Sequence, residues 1–145
     1  MSHCNRAIVA ALAAFAVQTA APGAMSATVE ASKGAPAKIE RVEGTKLSRV
    51  TLTQKAAQRL DIRTGTISQD AAGKMIAPYA AVFYDVAGVA WVYTNPQPLM
   101  FVRHQVTVEH IKGANAHLSD GPAAGTQVVI VGVSELYGTE KGVGH

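Results

Sequence analysis

Cysteine is almost missing from this chain of 145 residues; the single one, Cys4, lies near the start. No disulfide can form within one chain, and stability has to come from an apolar core. Charge is sparse too, at 16% of residues with a formal net charge of +3. Basic residues so few and so scattered argue against a nucleic-acid backbone or an anionic membrane surface as partner. Aromatic residues are only 6% of the chain. No apolar run reaches the roughly 20 residues that a membrane-crossing helix needs. Internal repeats and sustained heptads are absent as well, which excludes a coiled-coil hairpin.

What is present begins with a composition that folds, 48% of it hydrophobic. Part of that hydrophobicity belongs to the start, where Arg6 precedes the apolar run from Ala7 to Val17, followed by Pro22, Gly23 and small residues up to Ala27. A charged n-region, a short h-region and a small-residue cleavage site together read as a secretory signal over residues 1–27. Cleavage there leaves 118 residues with a formal charge of +2 and no cysteine. Residues 28–45, rich in Ala, Ser, Lys, Gly, Pro and Glu, read as a flexible leader.

From residue 46 to 138 the pattern is that of short strands separated by turns. Tyr79 to Tyr84, Ala90 to Thr94, Phe101 to Ile111, Ala116 to Leu118 and Gln127 to Val133 are strand-like, with Ile62 to Ile67 before them. Ala87-Gly88, Asn95-Pro96-Gln97-Pro98, Gly113-Ala114 and Asp120-Gly121-Pro122 carry turn chemistry. The expected fold class is mainly β, a small antiparallel barrel with one short helix. That helix is expected at Gln54–Leu60, with Thr53 as N-cap, Leu52 and Ala57 as a hydrophobic staple, and Ala56, Ala57 and Leu60 facing the barrel. Ser68 to Gly73 reads as an exposed loop, and residues 139–145 as a C-terminal tail.

Alternation over Phe101 to Ile111 puts Val102, His104, Val106, Val108 and His110 on one face and Arg103, Gln105, Thr107 and Glu109 on the other. A symmetric hairpin at Gly113-Ala114 pairs Lys112 with Asn115, Ile111 with Ala116, and His110 with His117. His104 and His110, six residues apart on one strand, would lie about 20 Å from each other and cannot share an ion. His110 and His117 are therefore the candidate metal ligands, with Met75, Met100 and His145 as further soft or imidazole donors elsewhere. Imidazole with thioether suits copper or silver, and imidazole alone suits zinc. The plain alternative is two partly exposed histidines on a hairpin, and no cofactor is expected.

Catalytic patterns are weak. Gly132-Val133-Ser134-Glu135-Leu136 begins like a nucleophile elbow, but Leu136 replaces the second glycine and no strand-to-helix turn is expected there. Gly138, Gly142 and Gly144 do not open a helix and so make no phosphate cradle. Asp85, Asp120 and Glu135 read as solvated carboxylates at turns or strand ends. Trp91, Tyr84, Tyr93, Phe83 and Phe101 read as core residues first, with Tyr84 and Tyr93 at the rim. The chain is not expected to be an enzyme.

Read in order, Pro78 to Asp85, Ala90 to Pro96, Phe101-Val102-Arg103, Val106-Thr107-Val108, Leu118 to Pro122 and Gly132 to Gly138 resemble the periplasmic adaptor subunits, or membrane fusion proteins, of resistance-nodulation-division efflux pumps. Leu47 to Ile67 is similar to the segment preceding the same domain. The resemblance implies the membrane-proximal β-barrel domain, the part that docks on the inner-membrane pump. The adaptors' lipoyl-like domain and long helical hairpin are not recognised, so bridging the envelope alone is not expected. Asp61 stands where the family often has a helix-ending glycine, and Val86-Ala87-Gly88 replaces an aspartate-glycine turn. The expectation is a periplasmic, non-enzymatic accessory or truncated adaptor module whose partner is the inner-membrane pump or a full-length adaptor, with no nucleic acid and no membrane span after signal cleavage. Expected contact residues are Tyr79, Tyr93, Asn95, Arg103, Glu109 and Tyr137. The alternatives are a periplasmic copper, silver or zinc carrier and a diverged remnant without a partner.

Overall fold

The computed structural model describes residues 35–143; the signal segment and the first part of the leader lie outside them. Eleven strands and two helices follow in order: β1 (Ala37–Arg41), β2 (Ser48–Leu52), α1 (Gln54–Arg59), β3 (Arg63–Thr66), β4 (Ser68–Gln69), β5 (Met75–Pro78), β6 (Phe83–Tyr84), β7 (Ala90–Gln97), β8 (Met100–Gln105), β9 (Thr107–Lys112), β10 (Asn115–Asp120), β11 (Gln127–Val131) and α2 (Val133–Lys141). All pairings are antiparallel, in a seven-stranded sheet ordered β1-β2-β8-β7-β11-β3 with β6 on β7, and a four-stranded sheet ordered β4-β5-β10-β9. The mainly β class holds, but neither sheet closes into a barrel.

The layers follow from alternation along the two central strands. Val92 on β7 and Val128 on β11 point to the small sheet, joining Ala77, Ala116 and Leu118 in one buried cluster. Their neighbours Tyr93 and Val129 point the other way, joining Val50, Leu52, Phe101 and the helix residues Ala56 and Leu136 in a second. A strand buried on both faces has to be apolar on both, which is why Val128-Val129-Ile130 shows no polar alternation. The result is three layers: small sheet, large sheet, helices. Burying a Val or Leu side chain contributes about 1.5–3 kcal/mol, so each cluster is a substantial share of the stability.

Two corners carry the chain between the sheets. Ile67, between β3 and β4, and Val106, between β8 and β9, are both buried in the inter-sheet cluster. Their backbone N–H groups bond to Thr126 and Ala90 carbonyls at 2.9 and 3.0 Å, so neither corner leaves a buried donor open. Phe101 to Ile111 is thus not one strand. Alternation read through Val106 put the wrong face inward in β8, where Phe101 and Arg103 are buried and His104 is exposed.

Other elements differ from the expected boundaries. Residues 37–41 of the expected leader form β1, paired with β2 from Ala37↔Leu52 to Arg41↔Ser48; an edge strand tolerates the polar sequence that hid it. Met75–Pro78 is a strand, whereas Tyr79–Ala81 is a single 3-10 turn leading into the short β6. Asn95 to Gln97 extends β7, and Ser68-Gln69 pairs with β5 inside the expected loop. The expected tail is helical as far as Lys141. Thr53 does cap α1, its hydroxyl accepting from the Ala56 N–H at 3.2 Å, and Asp61 ends that turn at φ +48°, a conformation Asp tolerates at small cost.

Candidate functional site

Three polar arrangements stand out. The first is buried. Arg103 on β8 and Glu140 on α2 have side chains only 7% and 3% exposed, with Arg103 Nε 2.8 Å from one carboxylate oxygen and 3.0 Å from the other. Tyr93 on β7 donates its hydroxyl to the same carboxylate at 2.6 Å. The guanidinium lies 4.6 Å from the centre of the Trp91 ring and 5.8 Å from that of Tyr137. Burial first, and then the bond to Glu140, push the Tyr93 hydroxyl far above its ordinary pKa. This group clamps α2 onto the sheet.

That arrangement corrects two expected contact residues. Tyr93 is not at the rim and Arg103 is not on a polar face; both are spent inside the fold. Asn95 is also occupied, donating from Nδ2 to the Gln97 and Met100 carbonyls at 2.7 and 2.8 Å across the β7–β8 turn. Tyr137 is partly buried against Phe83, with ring centres 5.3 Å apart. Tyr79 and Glu109 remain exposed. The signal for α2 was available in the sequence, since Val133, Leu136, Tyr137 and Glu140 follow the i, i+3, i+4, i+7 spacing of one helix face.

A strand-to-helix turn does follow β11, contrary to the expectation for Gly132 to Leu136. Gly132 occupies the turn at φ +85°, where a Cβ would collide with Ile62 Cδ1. Ser134 is the second residue of α2 and faces solvent, not the turn itself where an elbow holds its nucleophile. Glu135 sits in the first turn of α2 and is not a turn carboxylate.

The second arrangement is the β6–β7 turn. Asp85 Oδ1 accepts from the Ala87 and Val89 N–H groups at 2.9 and 3.0 Å, and Oδ2 accepts from Trp91 Nε1 at 3.0 Å. The bond from Val89, with those from Trp91 and Ala87, holds the Asp85 carboxyl below its usual range. A turn fixed this way presents Val86 with its whole surface exposed, beside Tyr84 at 53%. Tyr79 is 43% exposed on the segment leading into β6.

The third lies on the outer face of the four-stranded sheet. His110 and His117 oppose each other across β9 and β10, as the hairpin predicts, with ring centres 4.3 Å apart and planes 11° from parallel. His104, on β8 of the other sheet, bonds through Nδ1 to the Gln105 carbonyl and belongs to a separate surface. Thioethers are elsewhere as well: Met75 packs on the inter-sheet core and Met100 lies on β8. Among the described residues, no group of three or more His, Cys, Asp or Glu is placed to hold a metal ion, and no helix is long and apolar enough to cross a membrane.

An apolar cleft of about 370 Å³ opens between the start of β1 and the two helices, lined by Ala37, Leu52, Ala56 and Leu60 with Arg59 and Glu135. The chain matches no family model, no curated protein and no solved structure.

Proposed function

We propose that this chain is a non-enzymatic docking module of the cell envelope that associates with a resistance-nodulation-division efflux pump, or with a full-length adaptor of such a pump. One observation carries the reading: the Asp85-held turn, which ends the Pro78 to Asp85 block of the adaptor resemblance, holds a fully exposed Val86 next to Tyr84. A rigid turn displaying an apolar tip loses little conformational freedom when it binds, which is where preorganised contacts gain affinity. Tyrosine beside it suits an interface that is apolar at its centre and wet at its edge.

Contact is assigned to Tyr79, Tyr84 and Val86, in place of the buried Tyr93 and Arg103. The reading puts the mature chain in the periplasm, because the segment over residues 1–27 has the layout of a secretory signal. Co-purification of the detergent-solubilised pump with the tagged chain is the test. Tyr84→Asp and Val86→Asp are expected to abolish recovery of the pump without lowering the unfolding midpoint. Failure to recover either a pump or an adaptor, or recovery unaffected by both substitutions, removes the proposal.

A further inference from the structure

An edge strand leaves a row of main-chain donors and acceptors unpaired, and folded proteins blunt such rows. Most of the edges here are blunted: β4 and β6 are two residues long, β3 is four residues interrupted by Gly65, and β9 carries a bulge at Glu109, which has no partner on β10. The edge at β1 is not. It runs in unbroken register from Ala37↔Leu52 to Arg41↔Ser48, contains no proline or glycine, and among the described residues has no strand on its outer side. Ile39 at its centre is 46% exposed.

The ladder fixes which main-chain groups point outward. At one end of β1 the Thr53 N–H bonds to the Pro36 carbonyl at 3.0 Å, and at the other the Val42 N–H bonds to the Leu47 carbonyl at 2.9 Å. Main-chain groups alternate sides along a strand, so those of Pro36, Lys38, Glu40 and Val42 face β2, and those of Ala37, Ile39 and Arg41 face outward. Side chains alternate between the two faces of the sheet. Ala37, Ile39 and Arg41 share the face of Val50 and Leu52, on which the helices pack; Lys38 and Glu40 share the other. There Lys38 Nζ lies 2.9 Å from Glu40 Oε1, with the side chains 56% and 44% exposed, and the bond holds the Glu40 carboxyl below its usual range.

We propose that the chain forms a two-fold symmetric dimer by antiparallel pairing of β1 with β1 of a second copy, centred on Ile39. With that centre, Ile39 meets Ile39 and Ala37 meets Arg41 as hydrogen-bonded pairs, exchanging about six main-chain bonds through the groups that already point outward. Lys38 then falls opposite Glu40 at two places, in the non-hydrogen-bonded positions where side chains come closest. The strand Ala37-Lys38-Ile39-Glu40-Arg41 is its own complement, as an isologous interface requires. Charge also fixes the register: a slide of two residues either way keeps the outward bonds but sets Lys38 against Lys38 or Glu40 against Glu40, which is destabilising. Lysine alone blunts an edge, whereas lysine with glutamate on the same face selects a copy of itself. The helices of both copies stay on one side of the joined sheet, with the two Ile39 side chains between the clefts lined by Ala37, Leu52, Ala56 and Leu60. A five-residue edge covers less than the roughly 1,200 Å² of a standard interface, so the dimer is expected to be weak and to form as concentration rises.

Sedimentation of the full chain over a series of concentrations tests this. Self-association is expected, and Ile39→Pro is expected to abolish it, because proline there removes an outward N–H and none that bonds to β2. Lys38→Glu and Glu40→Lys are each expected to weaken self-association by about tenfold or more, since like charges then face each other at both places. An equimolar mixture of those two variants is expected to regain it, and so is the double variant Lys38→Glu/Glu40→Lys. Amide exchange is expected to slow with concentration at Ala37, Ile39 and Arg41 and to stay unchanged at Lys38 and Glu40. Urea midpoints establish that the variants fold, and the charge variants decide the matter if Ile39→Pro does not. A chain that stays monomeric, association unaffected by Ile39→Pro, or a mixture that fails to regain it overturns the dimer. So does a monomeric chain in which Ile39→Pro abolishes recovery of the pump, since the edge then belongs to that partner. Sedimentation uses the chain alone, so its failure and the failure of pump docking through Tyr84 and Val86 are separate results.

Discussion

Replacing Glu140 by glutamine removes one charge from the buried cluster and almost nothing else, so it isolates the electrostatic share of the clamp on α2. The amide can still accept the Tyr93 hydroxyl, which sits 2.6 Å from the carboxylate. Arg103 cannot adapt as easily. Its side chain is 7% exposed, and the Trp91 face at 4.6 Å returns only about 2 kcal/mol. A buried charge stripped of its partner costs about 3–5 kcal/mol. We expect about 3 kcal/mol for Glu140→Gln and the upper end for Glu140→Ala, which also orphans the Tyr93 hydroxyl. With an m-value of about 1.3 kcal/mol per molar urea, 3 kcal/mol moves the midpoint by about 2.3 M. Trp91 is the sole tryptophan and lies against the guanidinium, so its fluorescence reports the perturbed place directly. The same reasoning predicts that Arg103→Met, Glu140→Leu and Tyr93→Phe together recover most of the loss, because an apolar replacement leaves no charge unpaired. A cost below about 1 kcal/mol for Glu140→Gln, or losses that simply add in the Arg103 and Glu140 cycle, would refute the reasoning.

Tyr93 should keep its proton while the fold persists; since its folded pKa is raised, its contribution is complete below the unfolded tyrosine value of about 10 and is lost as pH climbs past it. Tyrosinate absorbance and Trp91 fluorescence followed together should show Tyr93 ionising only with unfolding. Asp85 works at the other end, because its folded pKa is lowered: its contribution is present above the unfolded carboxylate value of about 4 and disappears as pH falls through the folded one. Asp85→Ala should lower the melting temperature at neutral pH and flatten its fall in acid. Gly132→Ala should cost more than about 1 kcal/mol by urea unfolding, since it places a side chain at positive φ against Ile62 and the Leu60 carbonyl.

The legible parts of the fold were those set by neighbours in sequence. Gly113-Ala114 dictates a two-residue turn, and the turn dictates the register that brings His110 opposite His117. Thr53 and the apolar positions behind it likewise specify α1 within eight residues. Arg103 was misplaced because alternation continues past a corner and a bulge without leaving a mark in composition, and because a buried arginine makes sense only beside Glu140, a partner 37 residues away. Helix α2 was concealed by Gly132, Gly138 and Gly142, of which the first and last do mark its ends. Barrel closure failed as an expectation because Ile67 and Val106 turn the chain onto a second sheet, a decision carried by packing.

Glu140 also sets an order of events during biosynthesis. Until that residue has left the ribosome, the guanidinium already made on β8 lacks this counter-ion and the half-built sheet must keep it wet. Helix α2 is therefore the element that allows the interior to dry, and a nascent chain stalled at Gly138 would hold all eleven described strands and still lack the carboxylate that pairs with Arg103.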